Sequence, residues 1–89
     1  MLKILTELRS DAGSERYGLD LMRSTGLQSG TVYRILDRLT EAGLVTARWE
    51  EADPVAEGRP RRRLYKLTGI GASEADRILL EHGIAGAWA

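Results

Sequence analysis

The sequence predicts a mainly α-helical α+β domain with a two-stranded β-hairpin, in the element order ααα-ββ-α. Apolar residues recur at helical spacing in three successive segments between residues 1 and 43. The pattern then changes to a run rich in β-branched and aromatic residues, which predicts a strand. A turn region that contains both prolines and a second short predicted strand follow. A final segment returns to helical spacing. The 89 residues are enough for one small domain, so we expect residues 1–89 to form a single unit.

The first two predicted helices span residues 1–9 and about 15–25. Gly26 is expected to end the second helix, because glycine readily adopts the left-handed conformation found after many helices. Gly18 is expected to permit close packing of this helix against the third. Three leucines at a spacing of three give the first helix one apolar face. They are Leu2, Leu5 and Leu8.

The third predicted helix, residues 29–42, is the strongest candidate for a functional element. Ser29 is expected to cap it, and Gly43 is expected to follow its end in a left-handed conformation. A short turn that contains glycine precedes it, as in helix-turn-helix motifs. Four apolar residues predict the buried stripe of this helix. They are Val32, Ile35, Leu36 and Leu39.

The other face of the third helix has residues suited to a DNA major groove. Arginine can bond a guanine or a phosphate through two donors, and helix N-termini attract phosphate. Alternatively, Arg34 and Arg38 pair with Asp37 and Glu41 on a solvated face, and the Tyr33 ring covers the edge of the core. The candidate DNA-binding residues of this helix are Gln28, Ser29, Gly30, Thr31, Tyr33, Arg34 and Arg38.

The two predicted strands are residues 44–50 and 62–67, joined by an irregular loop at 51–60. Trp49 and Tyr65 lie on these strands, and we expect them to face each other and pack rather than stack on a ligand. Thr68 is expected to cap the last helix, which begins near residue 71 and ends near 82. A helix-turn-helix followed directly by a hairpin is the winged helix-turn-helix plan.

Arginines cluster at the predicted wing, residues 51–63. The stretch from residue 58 to 67 contains five basic residues and no acid, so we expect uncompensated positive charge that meets the DNA backbone or a narrow minor groove. If four to six cations contact phosphates, log affinity falls with log salt at a slope of roughly −4 to −5. A solvated basic loop is the alternative. The candidate DNA-binding residues of the wing are Arg59, Arg61, Arg62 and Arg63.

Composition excludes several classes of function. The chain has no cysteine and one histidine, His82, which argues against zinc sites, histidine-based catalysis and disulfides. We therefore expect no enzyme activity, no cofactor and no metal. No apolar run is long enough for a membrane span or a signal peptide, so we expect a cytoplasmic protein. The formal charge of zero leaves a protein-interaction module open as a rival function. A phage or mobile-element accessory factor is a further alternative.

Seven short motifs together resemble the PadR family of winged-helix transcriptional regulators, and they extend over more than half of the chain. Each motif alone is weak, but the combination at these spacings is fairly specific. The matching motifs are YGLDL (17–21), SGTVY (29–33), LDRL (36–39), EAGLV (41–45), WEE (49–51), GRP (58–60) and YKLT (65–68), followed by Gly71.

The resemblance implies a dimeric repressor that binds a pseudo-palindromic double-stranded DNA operator and releases it when a small-molecule effector binds near the dimer interface. It also implies that Ser29, Thr31 and Tyr33 lie near DNA. Two features depart from the family: no proline follows Ser29, and the chain ends soon after Gly83. We therefore expect a short form that lacks most of the C-terminal dimerisation region, with a homodimer formed through the first helix and residues 72–89. The expected interface residues are Leu2, Leu5, Ile84 and Trp88.

Overall fold

The computed structural model describes residues 1–83, which form helices and a small antiparallel sheet. The predicted residues Ile84 and Trp88 lie outside this range. The helices are α1 (Leu2–Ser10), α2 (Gly18–Thr25), α3 (Ser29–Glu41), α4 (Pro54–Glu57) and α5 (Gly69–Glu81). The strands are β1 (Arg16–Tyr17), β2 (Val45–Trp49) and β3 (Arg63–Leu67).

The sheet has three strands rather than the two predicted, in the order β1-β3-β2. The added strand pairs Arg16 with Tyr65 and Tyr17 with Leu64. This pairing holds the chain extended up to Tyr17, so α2 begins at Gly18 and the predicted start near residue 15 is wrong. The rest of the order agrees with the prediction, and the winged helix-turn-helix fold class is confirmed.

The predicted irregular loop between the main strands contains the short helix α4. The Asp53 carboxylate accepts a hydrogen bond from the Val55 amide at 3.0 Å, and Pro54 occupies the first turn. Gly58 ends the helix with a φ of +67°. Together these are an N-cap, a proline at the first position and a glycine stop, which stabilise one helical turn.

The core forms where α1, α2, α3 and α5 pack against the sheet. The predicted stripe of α3 is confirmed at Val32, Leu36 and Leu39, which are buried. Leu5 is only 1% exposed and belongs to the core of its own chain. Its predicted place in a dimer interface is therefore wrong. Leu2 is half-buried and packs against the same core.

The start of α5 is fixed against the end of α3. Thr68 caps α5 as predicted, since its hydroxyl oxygen accepts from the Gly71 amide at 2.9 Å. The same hydroxyl donates to the carbonyl of Gly43 at 2.9 Å. At Gly71 a Cβ atom would lie 1.8 Å from the carbonyl oxygen of Leu44, so no other residue fits there without backbone movement. These contacts fix the start of α5 against the turn between α3 and β2.

The predicted pairing of the two aromatic strand residues is wrong. Trp49 is opposite Arg63, and Tyr65 is opposite Ala47, so the rings are diagonal neighbours on one face of the sheet. Tyr65 is 2% exposed and belongs to the core, whereas Trp49 is 56% exposed. The tryptophan therefore contributes surface rather than core.

Candidate nucleic-acid interface

The N-terminus of α3 is open toward solvent. Gln28, not the predicted Ser29, occupies the N-cap position, and its side chain makes no capping hydrogen bond. The helix begins where the Val32 amide donates to the Gln28 carbonyl at 3.0 Å. The amides of residues 29–31 thus precede the first hydrogen bond of the helix and lie at the positive end of its dipole. Gln28, Ser29 and Gly30 are exposed, and Thr31 is half-buried.

Arg34 and Arg38 extend from the face of α3 opposite the core. Both are exposed, and neither makes an ion pair with another residue in the range 1–83. The alternative in which they pair with Asp37 and Glu41 is therefore absent from this part of the chain. Both guanidinium groups can donate to an external acceptor.

Tyr33 packs at the edge of α2 and is 40% exposed. A Cβ atom at Gly18 would lie 2.5 Å from the Tyr33 ring, so the ring covers the glycine directly. Its centroid is 6.5 Å from that of Tyr65. The prediction that Gly18 permits close packing against the third helix is confirmed. The ring covers the core edge, and part of it remains accessible.

The charge of Arg59 in the wing is compensated by an acid, contrary to the prediction. Glu50 forms an ion pair with Arg59 and also accepts a hydrogen bond from the Arg62 amide at 2.9 Å. These bonds, chiefly the one from Arg59, hold the pKa of Glu50 below its ordinary value. Glu50 lies outside the basic stretch in the sequence, but it is adjacent to the arginines in space because the hairpin reverses the chain direction. Residues 50–63 contain four acids and four arginines.

The other three wing arginines also contact their own chain. Arg61 Nε donates to the carbonyl of Ala52 at 3.1 Å. The guanidinium carbon of Arg62 lies 4.8 Å from the centroid of the Tyr17 ring. That of Arg63 lies 5.1 Å from the Trp49 ring centroid. Both distances are those of cation–π contacts, which fix a guanidinium but leave its N–H edge free to donate.

A groove of about 510 Å³ lies between the wing, the β1–α2 junction and Tyr33 of α3. Aromatic rings and arginines make up most of its lining. Burial raises the pKa of Tyr65, so this hydroxyl stays protonated at neutral pH. The aromatic and arginine residues of the lining are Tyr17, Tyr33, Trp49, Tyr65, Arg59, Arg61, Arg62 and Arg63.

Two kinds of feature are absent from the described part of the chain. In the described part of the chain, no group of three or more histidine, cysteine, aspartate or glutamate residues could hold a metal ion. None of the helices in that part is long and apolar enough to cross a membrane.

Several solved structures have similar folds, among them regulators of transcription. The chain is 25% identical to a PadR-like transcription factor from Bacteroides fragilis, with a TM-score of 0.74, covering 92% of this chain and 78% of that one. It is 26% identical to a MarR variant from E. coli, with a TM-score of 0.72. That match covers 92% of this chain but only 54% of the MarR chain, so the protein spans about half of that relative's length.

A third similar structure, a PadR family transcriptional regulator from Eggerthella lenta, has 20% identity and a TM-score of 0.72, covering 91% of this chain and 71% of that one. It supports the fold alone. No curated protein matches the chain.

The family comparison agrees with the fold. Residues 4–77 match the description "Transcriptional regulator PadR-like family". The match confirms the resemblance found in the motifs, and it confirms that the protein is not an enzyme, because the family is one of regulators. The chain belongs to the PadR-like family of transcriptional regulators.

Proposed function

We propose that the protein binds double-stranded DNA sequence-specifically and represses transcription, with α3 in the major groove. The observation that carries this proposal is the exposed pair Arg34 and Arg38 on a helix whose opposite face is buried. Such a helix can enter a groove about 12 Å wide without uncovering the core. The arginines then reach base edges or phosphates from a fixed backbone.

The N-terminus of α3 supplies the phosphate contacts. The amide N–H groups of residues 29–31 can donate to a DNA phosphate at the positive end of the helix dipole. Gln28 and Ser29 are exposed beside these amides, and Thr31 and Tyr33 supply hydroxyl donors to the same backbone. The open space around Gly30, where a Cβ atom would meet no protein atom within 4 Å, allows the DNA backbone to approach closely.

The wing lies along the DNA backbone or in the adjacent minor groove. Arg61, Arg62 and Arg63 contribute phosphate contacts from their free N–H edges, whereas Arg59 must first exchange Glu50 for phosphate. We therefore place the slope of log affinity against log salt at roughly −4, the weaker end of the expected range.

The DNA-binding form is a homodimer on a pseudo-palindromic operator, because helix-turn-helix proteins read two half-sites through two-fold symmetry. Residues 72–89 and α1 are the proposed contacts, with Leu2 as the accessible apolar residue of α1. Leu80, which is 64% exposed on α5, adds an apolar residue that lies close in sequence to the predicted positions Ile84 and Trp88. We place this regulator in the cytoplasm, in the compartment that would hold its DNA target.

The proposal is tested by selecting DNA fragments with the purified protein, sequencing them, and measuring binding by fluorescence anisotropy. We expect an enriched motif with two-fold symmetry and, in solution, the mass of a dimer. Random fragments without enrichment, combined with salt-independent binding, would reject sequence-specific recognition.

Gly30→Ala gives a sharper test at the residue level. The added methyl meets no protein atom within 4 Å. The free energy of unfolding should therefore stay the same or rise by up to about 1 kcal/mol, as for glycine-to-alanine changes in helices. DNA affinity should nevertheless fall, because the methyl occupies the space of the approaching backbone. Unchanged affinity for the selected DNA would place the DNA elsewhere on the protein.

A protein-interaction module is the second candidate. The observation that favours it is the exposed apolar tip of the wing, where Val55 of α4 is 89% exposed between the acids Asp53 and Glu57. The changes Arg61→Glu, Arg62→Glu and Arg63→Glu made together separate the two functions. DNA binding should be abolished by this reversal of charge, whereas an apolar contact through Val55 should persist.

A further inference from the structure

We propose that Asp37 determines part of the base preference of α3, by accepting a hydrogen bond from the N4 amino group of a cytosine. This proposal rests on the proposed function, and it adds a residue that selects between DNA sequences rather than one that supplies affinity. Three features of Asp37 carry it: its place on the outward face of α3, its lack of a partner within residues 1–83, and its negative charge.

Asp37 lies on the same outward face of α3 as the two free arginines. All three side chains are exposed, and the buried residues of the helix lie on the opposite side. With 3.6 residues per turn, Arg34 is at the centre of this face, and Asp37 and Arg38 are displaced from it by roughly 60° and 40° in opposite directions. A helix that presents Arg34 and Arg38 to DNA therefore presents the Asp37 carboxylate as well.

Asp37 lies on the edge of this face that is nearer to the sheet. It follows Tyr33 by four residues, so the two side chains share one stripe of the helix. The Tyr33 ring centroid is 6.5 Å from that of Tyr65 on β3. Burial raises the pKa of Tyr65, and the negative charge of Asp37 adds to that rise. The carboxylate is thus beside the junction of α3 with the wing strands, where the two elements proposed to touch DNA meet.

The Asp37 carboxylate makes no ion pair or hydrogen bond with another residue in the range 1–83. The spacing alone would allow one, because Arg34 precedes Asp37 by three residues. On α5, Glu74 and Glu81 pair with Arg77 at 2.7 and 2.8 Å, at spacings of three and four. The acids of α5 are thus occupied by their own helix, whereas the carboxylate on α3 is available to an external donor.

A carboxylate on a helix that reads DNA is repelled by phosphates and by the acceptor atoms of the bases. In the major groove cytosine presents the N4 amino donor, which aspartate can accept from, whereas guanine presents two acceptors that suit arginine. The rise from residue 34 to residue 37 is about 4.5 Å, close to the spacing of about 3.4 Å between base pairs. A guanine bound by Arg34 therefore places a neighbouring cytosine within reach of Asp37.

The same charge disfavours other sequences. Where the neighbouring base presents only acceptors, the carboxylate has no donor and remains close to the negative DNA backbone. Specificity is a difference between two affinities, and it rises when a residue weakens binding to the wrong partner. Asp37 thus lowers the affinity for unrelated DNA and increases the ratio of specific to non-specific binding.

The first test selects DNA fragments with the native chain, Asp37→Ala and Asp37→Asn, and compares the enriched motifs. We expect a cytosine next to a guanine in each half-site of the native motif. Asp37→Ala should keep the rest of the motif and lose the preference for cytosine. Asp37→Asn should prefer adenine there, because asparagine bonds to adenine N6 and N7. The matched control Asp11→Asn, an exposed acid just after α1, should select the native motif.

The second test measures the anisotropy of the selected DNA and of a variant in which the base pair of this cytosine is changed. The change should weaken binding by the native chain about tenfold and binding by Asp37→Ala less than about twofold. Asp37→Ala should also bind unrelated DNA about two- to fivefold more tightly than the native chain, because the repulsion is removed. Thermal unfolding of each variant checks that the fold is retained.

The outcomes separate this proposal from the proposed function. If Asp37→Ala selected the native motif unchanged, or if the changed base pair weakened both proteins equally, the role of Asp37 would be overturned and the proposed function would stand. Loss of the whole motif in a folded Asp37→Ala would also overturn it, since the effect would not be confined to one base. If the native chain selected no motif, the proposed function would fail, and the role of Asp37 with it.

Discussion

The two arginine groups of the molecule differ in what their side chains already contact. On α3, Arg34 and Arg38 are exposed and make no ion pair with residues 1–83. In the wing, all four arginines contact their own chain, through a carboxylate, a carbonyl and two aromatic rings. The helix thus offers free charge on a rigid backbone, whereas the wing offers charge that is already positioned.

This difference shows that a cluster of like charges in a sequence does not measure the charge available to a partner. An arginine with a carboxylate neighbour must give up that ion pair before it binds phosphate, which reduces the net gain. An arginine stacked on a ring keeps its donors and has less side-chain entropy to lose on binding. We therefore expect α3 to supply most of the affinity and the wing to supply a smaller, salt-sensitive part.

The largest expected effect comes from Arg34→Ala combined with Arg38→Ala. If each arginine contributes roughly 1–3 kcal/mol to recognition, affinity for the selected DNA should fall by about 30-fold or more. Stability should change by less than about 0.5 kcal/mol per site, because both side chains are exposed. Anisotropy and thermal unfolding measure the two quantities.

The matched control for this double variant is Lys3→Ala with Arg77→Ala, which removes the same charge from α1 and α5. It should lower DNA affinity only slightly. Equal losses in the two double variants would mean that net charge, not the α3 surface, determines binding.

A second prediction tests how α3 is held beside the wing. In Gly18→Ala the new methyl would lie 2.5 Å from the Tyr33 ring, so the ring must move out of its position over α2. Overpacking of this kind costs about 1–3 kcal/mol of stability. DNA affinity should fall about tenfold if roughly 1.4 kcal/mol of Tyr33 contact is lost. A variant of unchanged stability would show that the Tyr33 ring is free to rotate away.

Much of the scaffold around Tyr33 could be predicted from sequence because it depends on local signals. The α3 stripe, the stop at Gly43 and the cap at Thr68 follow from spacing and from residue chemistry within one turn. Helix α4 also has local signals, namely the cap Asp53, Pro54 at the first position and the stop Gly58. The prediction of an irregular turn at these residues therefore missed a helix that the sequence indicates.

Other features depended on contacts between distant residues. Strand β1 is two residues long and forms because Arg16 and Tyr17 pair with β3, some 47 residues later. Two residues are too few to show the alternation of apolar and polar side chains that predicts a strand. The Glu50–Arg59 ion pair requires knowing that the chain reverses between them. The need for glycine at Gly71 arises from the Leu44 carbonyl, which sequence spacing does not reveal.

A smaller effect is expected from single changes in the wing. Arg61→Ala should lower DNA affinity by about three- to tenfold and reduce the magnitude of the salt slope by roughly 0.9, the contribution of one phosphate contact. Arg59→Ala should have less effect on the slope, since Glu50 already neutralises Arg59. The measurement is anisotropy at a series of salt concentrations. Identical salt slopes for the two variants would show that the ion pair with Glu50 does not reduce the contribution of Arg59 to DNA binding.

The smallest effect concerns pH. The pKa of Glu50 in the folded protein is lowered by Arg59 and the Arg62 amide. The Glu50 carboxylate therefore stabilises the fold at pH values above its ordinary pKa of 4.5. This stabilisation is lost as the pH falls through the lower pKa of the folded protein. Glu50→Gln should have a lower Tm than the native chain at pH 7, and the difference should shrink toward pH 3. A constant difference across this range would show that the carboxylate charge contributes nothing.

The most direct test of the central claim is a residue-resolved NMR titration of the protein with its selected DNA. If α3 recognises DNA and the wing supports it, the largest shifts will fall on the amides of residues 28–31 and the side chains of Arg34 and Arg38. Smaller shifts will follow at residues 59–63, and Lys3 and Arg77 will be unaffected. Shifts concentrated on α1 and α5, with α3 unchanged, would contradict the account.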